Sequence, residues 1–338
     1  LTTPRTSSDD DAPVQNHAIA AEGVSKVFPD GTGVHHLDLV IPKGSIFGFI
    51  GPSGSGKTTT VRILTGVTAP DEGAIDVLGS EPAAFDARTR GRLGYMPQLS
   101  VLYPNLTVEQ NLRFFSSLYG LSRSSGRERR RGALEFVELA EHAGKRVAEI
   151  SGGMQRRLSL AAALVHSPDV IFLDEPTAGI DPVLRRRFWT HFEELRDRGR
   201  TLFVTTQYVT EAGYCDMVGV LSDGRLVHVD TPVGLRRAAY GGDIVDVEFV
   251  EPPRRETIDR MRPAVGATST HPVSARRLRL VVDEAATAIP KLHTWLSDEG
   301  LEIRQVEQHV PDFDDVFVEI VEAHRTRAEE SSRDAVSA

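Results

Sequence analysis

The stretch Gly51-Pro52-Ser53-Gly54-Ser55-Gly56-Lys57-Thr58 constrains this chain more than any other. It matches G-x-x-x-x-G-K-[ST], follows the apolar run Ser45–Ile50 and precedes helix-compatible sequence from Lys57. A strand, a glycine-rich loop and then a helix is how a backbone cradles phosphate. Glycines let successive N–H groups turn inward as an anion nest, and the helix adds the positive end of its dipole. Lys57 supplies a point charge for β- and γ-phosphates, and the Thr58 hydroxyl is placed to ligate Mg²⁺, which binds few protein groups and keeps its other positions for water and phosphate. The expected phosphate contacts are therefore Gly51, Pro52, Ser53, Gly54, Ser55, Gly56, Lys57, Thr58 and Thr59.

Ala18–Val27 and His35–Ile41 read as β segments joined by the turn Pro29-Asp30-Gly31-Thr32-Gly33. Phe28, at the end of the first, is either a core aromatic or a ring free to stack on a base. Thr58–Thr65 continues the helix that the loop opens, Gly73–Leu78 is a strand, and Leu93–Pro97 leads to Gln98. Thr107 caps a helix reaching Tyr119, with Gln110 at the capping-box offset and Val108, Leu112, Phe115 and Leu118 at helical spacing. The arginine-rich stretch that follows (Arg123, Arg127, Arg129, Arg130, Arg131) is read as a loop. Its charges suit a solvated helix face or anionic lipid headgroups. Leu134–Ala140 resumes the helical pattern.

Ser151-Gly152-Gly153 opens a helix that buries Leu158, Ala161, Ala162 and Val165. Val170–Leu173 is an apolar strand closing on Asp174-Glu175, and Leu202–Thr205 another, ending at Gln207. Val218–Leu221 and Arg225–Val229 form a hairpin around Ser222-Asp223-Gly224. Strands alternating with helices from Ser45 onward predict a mainly parallel sheet covered on both faces. Past Gly241-Gly242 a small α+β unit is expected. Its strands are Ile244–Val250, Arg277–Val282 and Leu301–His309; its helices are Glu256–Met261, Ala285–Ser297, interrupted at Pro290, and Phe313–His324.

Four pieces carry chemistry. Beside the phosphate loop stands Asp174-Glu175 at a strand end, where Asp174 can hold Mg²⁺ through its water shell and Glu175 can polarise a water for attack on a γ-phosphate. Ser151-Gly152-Gly153 at a helix start is either a plain N-cap or a second anion site. Gln98 and Gln207 each stand just past a strand, where they are ordinary polar residues or ligand contacts.

This order (phosphate loop, lone Gln, Ser-Gly-Gly, Asp-Glu, an Asp-Pro turn and a polar switch residue) resembles the nucleotide-binding subunit of ABC transporters over about residues 17–235. The resemblance implies a P-loop NTPase cassette of the α/β class, with a β-subdomain, a parallel-sheet core and a helical subdomain near 99–165. The cassette would fill 17–240, a C-terminal α+β domain 241–324, and flexible tails 1–16 and 325–338. It further implies ATP and Mg²⁺ as ligands, Gln98 as a residue that senses Mg²⁺ and the membrane subunit, and Asp181 at a dimer seam. Phe28 takes the position that stacks on the base, and Ser151, Gly152, Gly153 and Met154 meet the γ-phosphate held by a second ATPase subunit, identical or not. Leu99–Pro104 and the helices to Ala140 correspond to the face that receives a membrane-spanning permease.

Four positions depart from the family pattern. Ile150 and Met154 replace Leu and Gln beside Ser-Gly-Gly; Phe28 replaces Tyr. Gln207 stands where a switch His is usual; it can donate and accept a hydrogen bond but carries no charge. Together with the Ser151-Gly152-Gly153-Met154-Gln155-Arg156-Arg157 signature and the Asp312-Phe313-Asp314-Asp315-Val316-Phe317 ending of the appended C-terminal unit, it resembles multidrug and daunorubicin-resistance-type exporters of the ABC-2 class. The expected catalytic set is Lys57, Glu175 and Gln207, and the expected metal set Thr58, Gln98 and Asp174.

Composition decides among rivals. A formal charge of −9 argues against a nucleic-acid binder, and one cysteine in 338 residues excludes an internal disulfide framework and fits a reducing compartment. No apolar run approaches the ~18 residues of a membrane span, so the chain is expected to be soluble and held peripherally at the cytoplasmic face of the cell membrane. A soluble ATPase acting on nucleic acid or ribosomes would normally join two cassettes or insert a long coiled coil, and neither pattern is present. A non-hydrolysing regulatory module fits poorly with intact Lys57, Asp174 and Glu175.

Overall fold

Strands β1 (His17–Val27) and β2 (Gly33–Pro42) pair antiparallel across a tight turn in which the Phe28 N–H donates to the Thr32 carbonyl at 2.8 Å. The computed structural model describes residues 16–337, so the expected tail before Asn16 lies outside the described residues. β3 (Ile46–Ile50) is buried along its whole length and passes through the glycine loop into α1 (Lys57–Leu64). β4 (Glu72–Val77) returns to β1, giving a three-stranded sheet in the order β2-β1-β4. The short α2 (Ala87–Arg90) precedes β5 (Leu93–Met96).

A helical layer follows: α3 (Val108–Leu118), α4 (Arg123–Phe136) and α5 (Gly152–Leu164). α3 starts on a reciprocal capping box, Thr107 Oγ1 accepting the Gln110 N–H at 3.1 Å and Gln110 Oε1 accepting the Thr107 N–H at 2.9 Å. β6 (Val170–Asp174), α6 (Pro182–Asp197), β7 (Thr201–Thr206), β8 (Met217–Ser222), β9 (Arg225–Asp230) and α7 (Pro232–Tyr240) complete the first unit. Its main sheet runs β5-β6-β7-β3-β8-β9, parallel except for the β8–β9 hairpin.

Alternation along β3 sorts the core into two layers. Ile46 and Ile50 face α5, α6 and the helical layer, alongside Ile171, Leu173, Leu202 and Val204. Phe47 and Phe49 face α1 and the antiparallel sheet, where they meet Phe203, the Phe47 and Phe203 rings stacking at 5.6 Å between centroids.

The second unit runs β10 (Asp243–Phe249), α8 (Arg255–Val265), β11 (Ala267–Pro272), β12 (Arg277–Val282), α9 (Ala285–Asp298), β13 (Ile303–His309). The all-antiparallel order β11-β12-β10-β13 is the split β-α-β, ferredoxin-like arrangement. α8 and α9 cover one face with a core of its own. The other face carries charge pairs, among them Asp246 accepting two bonds from Arg279 at 2.8 and 2.9 Å. α10 (Phe313–Ser337) then leaves this unit and lays Phe313, Val316, Ile320 and Val321 into the first core, beside Ile50, Val218 and Val220.

Several elements differ from the sequence reading. The arginine stretch is not a loop: it is α4, with Arg130 buried against Glu109 at 2.8 Å and Arg129 donating to the His166 carbonyl at 2.9 Å. α6, α7 and β11 are further elements beyond those expected. α9 runs unbroken through Pro290, because Ala288, Leu292 and Leu296 pack into the second core and tertiary packing overrides the local cost. α10 continues past His324 to Ser337 where a flexible tail was expected, and its apolar stripe belongs to the first core, not to the second unit with which it was grouped.

Candidate active site

The chemistry-bearing residues meet because they follow the carboxyl ends of adjacent parallel strands, where α/β sheets bind ligands. β3 delivers Gly51, β5 delivers Gln98, β6 ends in Asp174 before Glu175, and β7 ends one residue before Gln207. In register, Asp174 stands beside Thr205, and Ile50 beside Thr206.

A cleft of about 280 Å³ is lined by Ser53, Gly54, Gly56, Lys57, Thr58, Thr59, Gln98 and Glu175, with Thr32 and Gly33 from the β1–β2 turn. Two glycines are sterically required. A Cβ on Gly51 would sit 2.2 Å from the Leu221 carbonyl oxygen; Gly56 has φ +107° and a Cβ there would meet the Gly33 oxygen at 2.7 Å. Gly56 caps α1 without a side-chain bond, so the first N–H groups of that helix keep no internal partner. Lys57 is buried and its ammonium donates to the carbonyls of Gly51 at 2.7 Å and Pro52 at 3.0 Å, 4.0 Å from Glu175 Oε1. Burial pulls its pKa down, opposed by the charges of Glu175 and Asp174. Ser55 Oγ is buried without a partner.

Asp174 is fully buried; Oδ1 accepts from Thr205 Oγ1 at 2.6 Å, while Oδ2 has no partner. A buried carboxylate oxygen left unpaired is costly unless something outside the protein meets it. Glu175 sits at φ +51°, a backbone strain of order 1–3 kcal/mol for a non-glycine residue. Its N–H is gripped by Thr205 through the carbonyl at 3.1 Å and Oγ1 at 3.0 Å. Gln98 Nε2 donates to Glu175 Oε2 at 3.3 Å, and Ser53 Oγ donates to Gln207 Oε1 at 3.2 Å, which brings both glutamines to the loop.

Among the described residues no group of three or more His, Cys, Asp or Glu could hold a metal. An all-protein cage is therefore not present among them, but the oxygen set fits Mg²⁺, which takes one or two protein oxygens plus water and phosphate: the Thr58 hydroxyl lining the cleft and the unpaired Asp174 Oδ2, one residue before cleft-lining Glu175.

The remaining expected residues lie elsewhere. Ser151 is exposed and caps α5, its Oγ accepting the Met154 N–H at 3.3 Å; Met154 packs against the first core. Gly152 and Gly153 face open space, where an added Cβ would meet nothing within 4 Å. Asp181 is exposed and caps α6, accepting from the N–H groups of Val183 at 3.1 Å and Leu184 at 3.0 Å. Phe28 is 37% exposed on the turn whose Thr32 and Gly33 wall the cleft. Thr32, Gly33, Thr205 and Arg156 were not singled out by sequence. Thr32 and Gly33 adjoin Phe28, and Thr205 follows from strand register; Arg156 lies in the Ser-Gly-Gly-Met-Gln-Arg-Arg run that carries the resemblance, which gave it no role of its own.

The chain matches the ABC transporter family over residues 34–178. It is 41% identical over 218 residues to the probable multidrug ABC transporter ATP-binding protein YbhF of Escherichia coli K12, covering 64% of this chain and 38% of that protein, so the chain spans well under half of that relative. It is 34% identical over 327 residues to the daunorubicin resistance ATP-binding protein DrrA2 of Streptomyces coeruleorubidus, covering 95% of this chain and all of that one. Among solved structures it resembles the dimeric post-hydrolysis cassette MJ0796 bound to ADP and Pi, with TM-score 0.59, 26% identity, 63% of this chain and 98% of that one covered.

Proposed function

The chain belongs to the ABC transporter family, and from that premise we propose that it is the ATP-hydrolysing subunit of an ABC exporter, working peripherally at the cytoplasmic face of a membrane with a separate permease. The observation that carries this reading is the meeting of Lys57, Gln98 and Glu175 in one cleft beside an unpaired Asp174 oxygen. Among the described residues no helix is long and apolar enough to cross a membrane, so the reading assigns the crossing to a partner.

The loop N–H groups and the start of α1 bind the phosphates, and Lys57 exchanges its bonds to Gly51 and Pro52 for phosphate oxygens. Asp174 and Thr58 would hold Mg²⁺, which when bound neutralises the β- and γ-phosphate charge. Glu175 accepts a proton from the attacking water as its oxygen bonds the γ-phosphorus and the bridging P–O bond breaks, leaving ADP and inorganic phosphate. Gln98 and Gln207 orient that water and the phosphate by hydrogen bonds.

A second ATPase subunit completes each cleft with Ser151-Gly152-Gly153. Nothing among the described residues requires glycine at Gly152 or Gly153, and helical glycine costs about 1 kcal/mol against alanine. That points to a contact from outside. The dimeric relative bound to ADP and Pi supports the same reading. The multidrug and daunorubicin-resistance names of the relatives support a drug as cargo, and a lipid-like cargo is part of the same proposal.

Glu175→Gln tests the chemistry. ATP binding should persist, while turnover falls by about 10²-fold or more, the range of general-base catalysis. Unchanged phosphate release would overturn the assignment.

A further inference from the structure

Arg156 stands on α5, five residues past Ser151, and its guanidinium spans three distant backbone carbonyls. One arm donates to the Gln98 carbonyl; the other donates to the carbonyls of Glu175 and, at 2.7 Å, Asp174. These partners come from two different strand ends, 58, 18 and 19 residues away in sequence. Glu175 is thereby held from both sides: Thr205 fixes its N–H and Arg156 its carbonyl. That double grip explains how a glutamate keeps φ +51°. The same guanidinium fixes the backbone of Gln98, whose side chain reaches Glu175 Oε2 at 3.3 Å.

Building on the hydrolysis proposed above, we infer that Arg156 is a positioning residue that sets the spacing between Gln98 and Glu175 and ties both to α5. α5 begins at the Ser-Gly-Gly face, so any displacement of that helix start by a second subunit reaches the water-polarising carboxylate through one rigid planar group. A planar guanidinium with five donors can serve three acceptors at once; a lysine ammonium is a point charge on a flexible stem.

The test measures steady-state ATP hydrolysis by Arg156→Ala, Arg156→Gln and Arg156→Lys in the full chain, with and without Glu175→Gln. KM for ATP should stay within about threefold, because no phosphate contact is lost. kcat should fall about 10–100-fold in the Ala and Gln variants, within the range that misplacing a reacting group costs, and Lys should restore part of it. In the Glu175→Gln background, Arg156→Ala should add no further loss, since the effect runs through Glu175. If Arg156→Ala gives little folded protein, the Gln and Lys variants carry the same comparison. Turnover that needs Glu175 but stays within twofold of wild type in the Arg156 variants, or a loss that multiplies in the Glu175→Gln background, overturns the inference. Turnover indifferent to Glu175→Gln instead overturns the proposed hydrolysis.

Discussion

At the scale of single residues, the switch position separates this site from one built on histidine. Gln207 Oε1 accepts from Ser53 Oγ at 3.2 Å, which sets it against the glycine loop, but its amide cannot take up a proton. Gln207→His should therefore keep more activity than Gln207→Ala and acquire a pH limb near a histidine's usual ~6.5, absent from the wild-type profile. Steady-state rates across pH 5.5–8.5 (about the window of that titration) check this; equal rates in the Ala variant and wild type would remove Gln207 from the chemistry. The residues readable in sequence were those whose chemistry is local. Gly51 to Thr59 is contiguous, and Asp174-Glu175 announces itself after an apolar strand. Arg156 and Thr205 act on partners brought together only by folding, Arg156 across 58 residues and Thr205 from the neighbouring strand, so no spacing rule points to them. Gly152 and Gly153 are a different case. Their sequence pattern was plain, yet among the described residues an added Cβ at either would meet nothing within 4 Å.

At the scale of elements, α10 is the least expected piece. Read by composition, its polar end suggested a mobile tail, because only one stripe is apolar and that stripe needs the first core to be recognised as buried. Pro290 misled in the opposite direction, since a proline rule is local and α9 is held by packing. Arginine density likewise masked α4, whose helix is fixed by Arg130–Glu109 and by Leu134 in the core. The β-strands other than β11 and the loop–helix start were legible, because period-two burial and glycine punctuation are local signals. Ile320 in α10 tests the packing. Ile320→Ala removes buried methyl groups and should cost about 2–5 kcal/mol. The two tryptophans report separately, Trp189 from the first core and Trp295 from the second. In chemical denaturation, Ile320→Ala should lower the Trp189 transition; a shift confined to Trp295 would place α10 with the second unit.

At the scale of the whole molecule, one cleft is built and one is offered. Lys57, Asp174 and Glu175 are assembled within the chain, whereas Ser151, Gly152 and Asp181 stand exposed and Gly153 half-exposed on other surfaces, with Ser151 and Asp181 making helix-capping bonds. Under the proposed function two chains close head-to-tail on ATP, with ligand binding favouring the closed pair because only that pair contacts it on both sides. Blocking hydrolysis should trap this state. The most direct measurement is the light-scattering mass of the Glu175→Gln protein with and without ATP and Mg²⁺, repeated with Ser151→Arg added. The mass should double with ATP in the first protein and stay that of one chain in the second, although both bind ATP. A Glu175→Gln protein that binds ATP and remains a single chain, or a pair that forms as readily with Ser151→Arg, would contradict it.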